Sequence, residues 1–207
     1  MKIQLIGFVM AIGISSASFA QSEMPIENAD GVETGTHAYL WEADNLDGGS
    51  VSLKKELEKG PVVLVFYRGK WCPICTRHLS NLQDSLKQIT DKGAQVFAIS
   101  PEQQNRAEEM REKTGVQFQL VFDKDYVISD AYGVTFTPTD KEREKYNRFL
   151  DADLENAHSD GRSDLPIPAT YVISQDGKIV WRQFNPDYKV RASVADILKQ
   201  LYQRQKL

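Results

Sequence analysis

Cys72 and Cys75 are the only cysteines among 207 residues, and only Pro73 and Ile74 separate them. Placed at the start of a helix, such a pair can do redox chemistry. The first-turn N–H groups have no partner within a helix, and its dipole is positive there. A thiolate in that position is stabilised, so the thiol becomes more acidic. Residues three apart share a helical face, so the two sulfurs can close into a small disulfide ring and reopen. Pro73 suits the first helical position, where its missing N–H costs nothing. Trp71 can cover one side of the pair, and Arg68, Lys70 and Arg77 add positive charge nearby.

The flanking pattern predicts the elements that hold the pair. Val62 to Phe66 is an apolar, β-branched run that reads as a strand. Cys72, Cys75, Leu79, Leu82, Leu86 and Ile89 then recur at spacings of 3, 4, 3, 4 and 3, the buried stripe of a helix. Gly93 suits its C-terminal cap. The expected unit is strand, short loop, helix, with both sulfurs at the helix N-terminus. Phe66 and its strand neighbours offer no carboxylate behind the pair to take up a thiol proton.

Composition narrows the classes of function. A 41% hydrophobic and 26% charged chain of this length is one globular domain. A net charge of −4 argues against a nucleic-acid partner, because no basic stripe is present to release counterions. No cofactor motif stands out.

The first twenty residues read as a secretory leader. Lys2 is its charged end, Ile3 to Ile14 its apolar core, and Ser18-Phe19-Ala20 a small-residue cleavage site before Gln21. Nothing after it is long and apolar enough to span a membrane. The expectation is an exported protein resident in the periplasm. One close cysteine pair in an oxidising compartment fits redox work better than scaffolding, since a disulfide clamp gains most from closing a long loop.

Residues 21–34 lack periodicity and read as a flexible lead-in; the domain is expected over 35–207. Residues 36–43 read as a strand, 44–49 as a turn, and Val51 to Leu57 as a short helix. Ala94 to Ile99 is a strand, and Ser100-Pro101-Glu102-Gln103 carries the marks of a helix start with Ser100 as N-cap. That helix should end at Gly115. Phe118 to Phe122 is a further strand, and Tyr126 to Tyr132 one or two helical turns. A helical insertion at about 135–165 should contain a surface helix from Thr139 to Leu154, with Tyr146, Phe149 and Leu150 on one face. Asn156 to Asp164 reads as a mobile loop. Ala169 to Ile173 and Lys178 to Arg182 form a hairpin, and the last helix should bury Val190, Val194, Ile197, Leu198 and Leu201. The predicted class is α/β, a mixed central sheet flanked by helices.

Several segments together resemble the AhpC/TSA peroxiredoxin-like proteins of the thioredoxin superfamily. They are Phe66-Tyr67-Arg68-Gly69, Trp71-Cys72-Pro73-Ile74-Cys75, Ala98-Ile99-Ser100-Pro101, Pro166-Ile167-Pro168-Ala169-Thr170-Tyr171-Val172-Ile173 and Asp176-Gly177-Lys178-Ile179. The resemblance implies a thioredoxin-like fold and a redox-active Cys72/Cys75 pair without metal or other cofactor. It implies a peroxide or protein disulfide as substrate, and an external thiol reductant of thioredoxin type. The family's peroxidatic cysteine falls at Cys75. Its Pro-x-x-x-Thr-x-x-Cys motif is altered, with Arg68 at the Pro position and Cys72 at the Thr position, and its distant Arg falls near Pro168. Ile167-Pro168 resembles the superfamily's cis-proline loop, which would turn the Ile167 backbone towards a peptide substrate.

Three functions stay open on the sequence. In peroxide reduction Cys75 attacks the O–O bond and Cys72 condenses with the resulting sulfenic acid. In thiol–disulfide exchange Cys72 is the nucleophile and Cys75 resolves the mixed disulfide. In a copper carrier Cys72 and Cys75 join His78 or His158 as ligands.

Overall fold

The computed structural model describes residues 23–158 and 161–204. The leader expected at 1–20 lies outside the described residues. In chain order the elements are β1 (Glu42–Asp44), β2 (Ser50–Ser52), α1 (Leu53–Lys59), β3 (Val62–Phe66), α2 (Pro73–Asp84), α3 (Leu86–Thr90), β4 (Gln95–Ser100), α4 (Gln104–Thr114) and β5 (Gln119–Phe122). They continue as α5 (Val127–Ala131), β6 (Thr135–Phe136), α6 (Asp140–Leu150), α7 (Leu154–Ala157), β7 (Leu165–Pro166), β8 (Ala169–Ile173), β9 (Ile179–Phe184) and α8 (Val194–Arg204).

Five strands form the central sheet in the order β5-β4-β3-β8-β9. β3, β4 and β5 run parallel, while β8 is antiparallel to β3 and β9 to β8. The mixed α/β sheet is the one predicted. All five residues of β3 are buried because the sheet is covered on both faces. Side chains alternate across it, so Val63 and Val65 join the core with Cys75, Leu79, Leu82 and Ile197. Val62, Leu64 and Phe66 join Leu53, Leu57, Tyr132 and Tyr171 on the other face. Burying one aliphatic side chain of this kind contributes roughly 1.5–3 kcal/mol, which seats α2 firmly on β3.

The predicted redox helix breaks once, at Ser85, into α2 and α3. Its stripe is nonetheless buried at Cys72, Cys75, Leu79, Leu82 and Ile89. Other expectations are corrected. Ser100 is the last residue of β4 rather than a helix cap, and α4 starts at Gln104 behind Gln103. Val190, expected on the inner side of the last helix, is exposed and precedes α8. The described part of the lead-in is docked: Gly31 N–H donates to Gly133 O at 3.0 Å, and Arg182 donates to the carbonyls of Asp30, Gly31 and Val32. The insertion is closed at its base by β6 pairing with β7. In the segment expected to be a mobile loop, His158 is buried, and Tyr126 Oη lies 2.5 Å from its Nδ1 and donates to Asp164 O at 2.7 Å.

Candidate active site

β3 carries the chain to the middle of the sheet, where Tyr67 N–H donates to Ile99 O at 3.0 Å. A turn through Arg68, Gly69 and Lys70 follows, and α2 begins. Cys72 is its N-cap and Pro73 its first helical residue, as expected. The Cys72 sulfur accepts the Cys75 N–H at 3.3 Å, so a side chain of the pair caps the helix that carries it. Both cysteines are unbridged and wholly buried.

Each sulfur has its own arginine. Arg68 Nη2 donates to Cys72 Sγ at 3.4 Å, and Arg191 Nη2 donates to Cys75 Sγ at 3.5 Å. Arg68 is only 2% exposed, and no carboxylate pairs with it among the described residues. Its guanidinium lies instead 4.0 Å from the ring centre of Tyr188, 4.9 Å from that of Trp71 and 5.1 Å from that of Tyr146. Trp71 thus lines the site through Arg68.

The two thiols part in acidity. Burial disfavours the Cys75 thiolate, but the Cys72 hydrogen bond and the Arg191 and Arg68 charges outweigh it and hold this thiol well below the ordinary range. Cys72 moves up, through its hydrogen bond to Cys75, burial and the charge on Cys75, against the pull of Arg68. The helix N-terminus does not make both sulfurs acidic. Of the two, Cys75 is the sulfur moved towards ionisation and Cys72 the one moved away from it.

Three neighbours escaped the sequence reading. Arg191 and Tyr188 come from the connection between β9 and α8, far from any motif. That connection is fixed at its end by His78, whose Nε2–H donates to Ala192 O at 3.2 Å. Burial and the Arg191 charge push the His78 imidazole down to about 4, so it is neutral. The third is Glu102, a fully buried carboxyl just beyond β4. Its Oε2 accepts the Lys70 N–H at 2.7 Å. It lies beyond β4 and touches the Gly69–Lys70 turn rather than standing on the strands beside Phe66. Serine and proline before Glu102 suggested a helix start and masked it.

Two further expectations are overturned. Pro168 is not cis: no peptide bond among the described residues is. Ile167 presents no free backbone donor, because its N–H already donates to Val134 O at 2.7 Å and the residue is buried. For copper, no three His, Cys, Asp or Glu side chains cluster as a metal site among the described residues. His78 faces Ala192 and His158 faces Tyr126.

Comparison with known proteins agrees with this geometry. The signature of the AhpC/TSA family matches residues 34–182. The chain belongs to the AhpC/TSA family. Among relatives of this AhpC/TSA member, the Mycobacterium tuberculosis protein Rv2521, which carries a peroxiredoxin name, is 27% identical over 167 residues, 81% of this chain and 93% of that one. The thiol-disulfide oxidoreductase ResA of Halalkalibacterium halodurans is 29% identical over 106 residues, 51% of this chain and 59% of that one. Among solved structures, peroxidoxin BcpB of Mycobacterium tuberculosis superposes with a TM-score of 0.64 at 21% identity, covering 83% of this chain and 97% of that one. The last likeness shows the fold, which is that of the AhpC/TSA members.

Proposed function

We propose that this protein reduces peroxides, with Cys75 as the attacking sulfur and Cys72 as its resolving partner. The observation that carries this is the division of labour between the sulfurs: the acidic one is Cys75, held by Arg191 and Arg68, and Cys72 stays protonated beside it. The Cys75 thiolate attacks one peroxide oxygen, the O–O bond breaks, and the departing oxygen leaves as an alcohol or water once it gains a proton. Cys75 is then a sulfenic acid. Cys72 attacks its sulfur, and the Cys72 proton leaves with the hydroxyl as water. The resulting Cys72–Cys75 disulfide needs two electrons from outside. Family membership supports a dithiol reductant of thioredoxin type. The leader-like residues 1–20 support export, and the periplasm as the working compartment.

Complete burial of both sulfurs favours a peroxide over a protein disulfide. The exchange reading, which ResA's name supports, needs an exposed and acidic Cys72. The deciding experiment treats the reduced protein with one equivalent of hydrogen peroxide and follows thiol loss. Oxidation should far outpace that of free cysteine, and Cys72→Ser should accumulate a sulfenic acid that a dione reagent traps. Oxidation at the pace of a free thiol, with mixed disulfides forming through Cys72 in Cys75→Ser, would overturn the assignment.

A further inference from the structure

The two arginines beside the sulfurs come from distant parts of the chain, yet both meet one residue. Tyr188 lies in the connection between β9 and α8. Its ring centre is 4.0 Å from the Arg68 guanidinium carbon. Its carbonyl accepts the Arg191 Nε–H at 2.8 Å.

These two handles fix the arginines in different ways. Nε and Nη2 of an arginine lie on one edge of a rigid, planar group. On Arg191 both positions of that edge are filled: Nε donates to Tyr188 O, and Nη2 donates to Cys75 Sγ at 3.5 Å. A guanidinium held at one end of its edge has little freedom to swing the other end off the sulfur. On Arg68 the same edge is half used. Nη2 donates to Cys72 Sγ at 3.4 Å, while Nε is buried without a partner. That edge lacks the carbonyl that Arg191 has, so the direction of its plane is left to the surrounding rings. Trp71 and Tyr146 pack on each other with centres 5.0 Å apart, and both are buried. Tyr188 is half-buried and is the nearest of the three to Arg68. Its backbone is held as well. Val190 N–H donates to Asp187 O, and Lys189 N–H to Asp187 Oδ1, both at 3.0 Å, which closes a turn around Tyr188.

We propose that Tyr188 is a positioning residue for the cysteine pair: its ring sets the plane of Arg68, its carbonyl sets the edge of Arg191, and the anchored ring keeps that carbonyl in place beside Cys75. The groups that act on the Cys75 charge are Arg191, Arg68 and Cys72, with Tyr67 at the end of β3, Glu102 beyond β4 and His78 one turn along α2. Tyr188 touches the two cations of that set. It therefore governs the acidity of a sulfur that it does not itself contact, and it couples the cation of one sulfur to that of the other.

The test reads the ionisation midpoint of Cys75, as thiolate absorbance in a Cys72→Ser background, with no peroxide present. Tyr188→Leu and Tyr188→Met keep bulk and carbonyl but lose the flat ring. Each should make Cys75 roughly three- to tenfold weaker as an acid, part of the tenfold or more that a neighbouring cation typically supplies. Tyr188→Phe, which keeps the ring, should bring the midpoint back to the parent value. Arg191→Gln should shift the midpoint less in Tyr188→Leu than in the parent, because the leucine variant has already lost part of that contact. By NMR the Arg191 Nε–H should exchange slowly with solvent in the wild type and quickly in Tyr188→Leu. A merely structural role would alter unfolding in urea and leave the midpoint and the coupling unmoved. An unmoved midpoint in both ring-less variants, a phenylalanine variant shifted as far as they are, strictly additive shifts, or fast exchange of the Arg191 Nε–H in the wild type would each overturn the proposal. Slow oxidation by peroxide would count against the peroxidase reading and leave this role standing, since it concerns the thiolate and not what the thiolate attacks.

Discussion

Arg191 meets Cys75 across 116 residues of chain, its Nη2 3.5 Å from the sulfur. This contact gives the acidic thiol a cation that the motif around it does not supply. An opposite charge at such range typically lowers an acid by about one to three pH units. Arg191→Gln should raise the ionisation midpoint of Cys75, read as thiolate absorbance in a Cys72→Ser background. At neutral pH the peroxide rate should fall by roughly tenfold or more. His78→Phe removes the hydrogen bond that ties down Ala192, and should raise the midpoint by less than Arg191→Gln does. An unmoved midpoint in Arg191→Gln would remove the arginine from the mechanism.

Arg68 is a buried cation whose counter-charge is the cysteine pair and whose walls are three aromatic rings. Arg68→Met fills similar space without charge, so the Cys75 midpoint should rise while urea stability changes little, since a buried charge repays its desolvation poorly. Arg68→Lys keeps the charge but loses the flat face that stacks on Tyr188, and should lose about 1–2 kcal/mol in the same unfolding assay. Equal stability of the lysine variant would show that stacking does not hold the guanidinium.

Gly69→Ala forces a methyl group into the space between Glu102 and Trp71 at a backbone angle that side chains avoid. Overpacking and strain together should cost about 2–5 kcal/mol. The change should slow Cys75 alkylation even though neither cysteine is altered. A variant as stable and reactive as the parent would mean that the turn adjusts freely.

Glu102 also predicts a pH dependence of stability. Its carboxyl sits at about 8 in the folded protein and starts from 4.5. The folded state thus holds a proton that the unfolded state has lost, and stability must fall as pH rises from 4.5 to about 8. Cys75 acts in the opposite sense, so the informative quantity is the difference between wild type and Glu102→Gln. Chemical denaturation should show that difference swinging by a few kcal/mol across the window, a tenfold change in acidity being worth about 1.4 kcal/mol. A constant difference would mean that Glu102 titrates normally.

Much of this protein is legible in its sequence because the signals are local. The buried run Val62 to Phe66 and the stripe through Cys75, Leu79 and Leu82 announce a strand and a helix by periodicity alone. Pro73 and Gly115 mark helix ends by their own backbone preferences. Contacts made across the fold leave no such trace. Arg191 looks like any surface arginine in the sequence, and only the return of α8 onto α3 and β8 brings it to a sulfur. Glu102 looks like the acidic first turn of a helix, and its burial depends on the turn at Gly69. The expected cis bond at Pro168 failed for the same reason: the register of β8 against β3 and the Ile167 hydrogen bond to Val134 decide that segment.

Residues 185–193 form a strap over the sulfurs. Tyr188 rests on Arg68, Arg191 reaches Cys75, and the strap fastens to itself through Asn185 and Asp187. A doorway of that kind sorts visitors by bulk. A molecule of a few atoms can slip past an aromatic ring, whereas a partner protein's sulfur arrives with a whole surface behind it and needs the strap lifted.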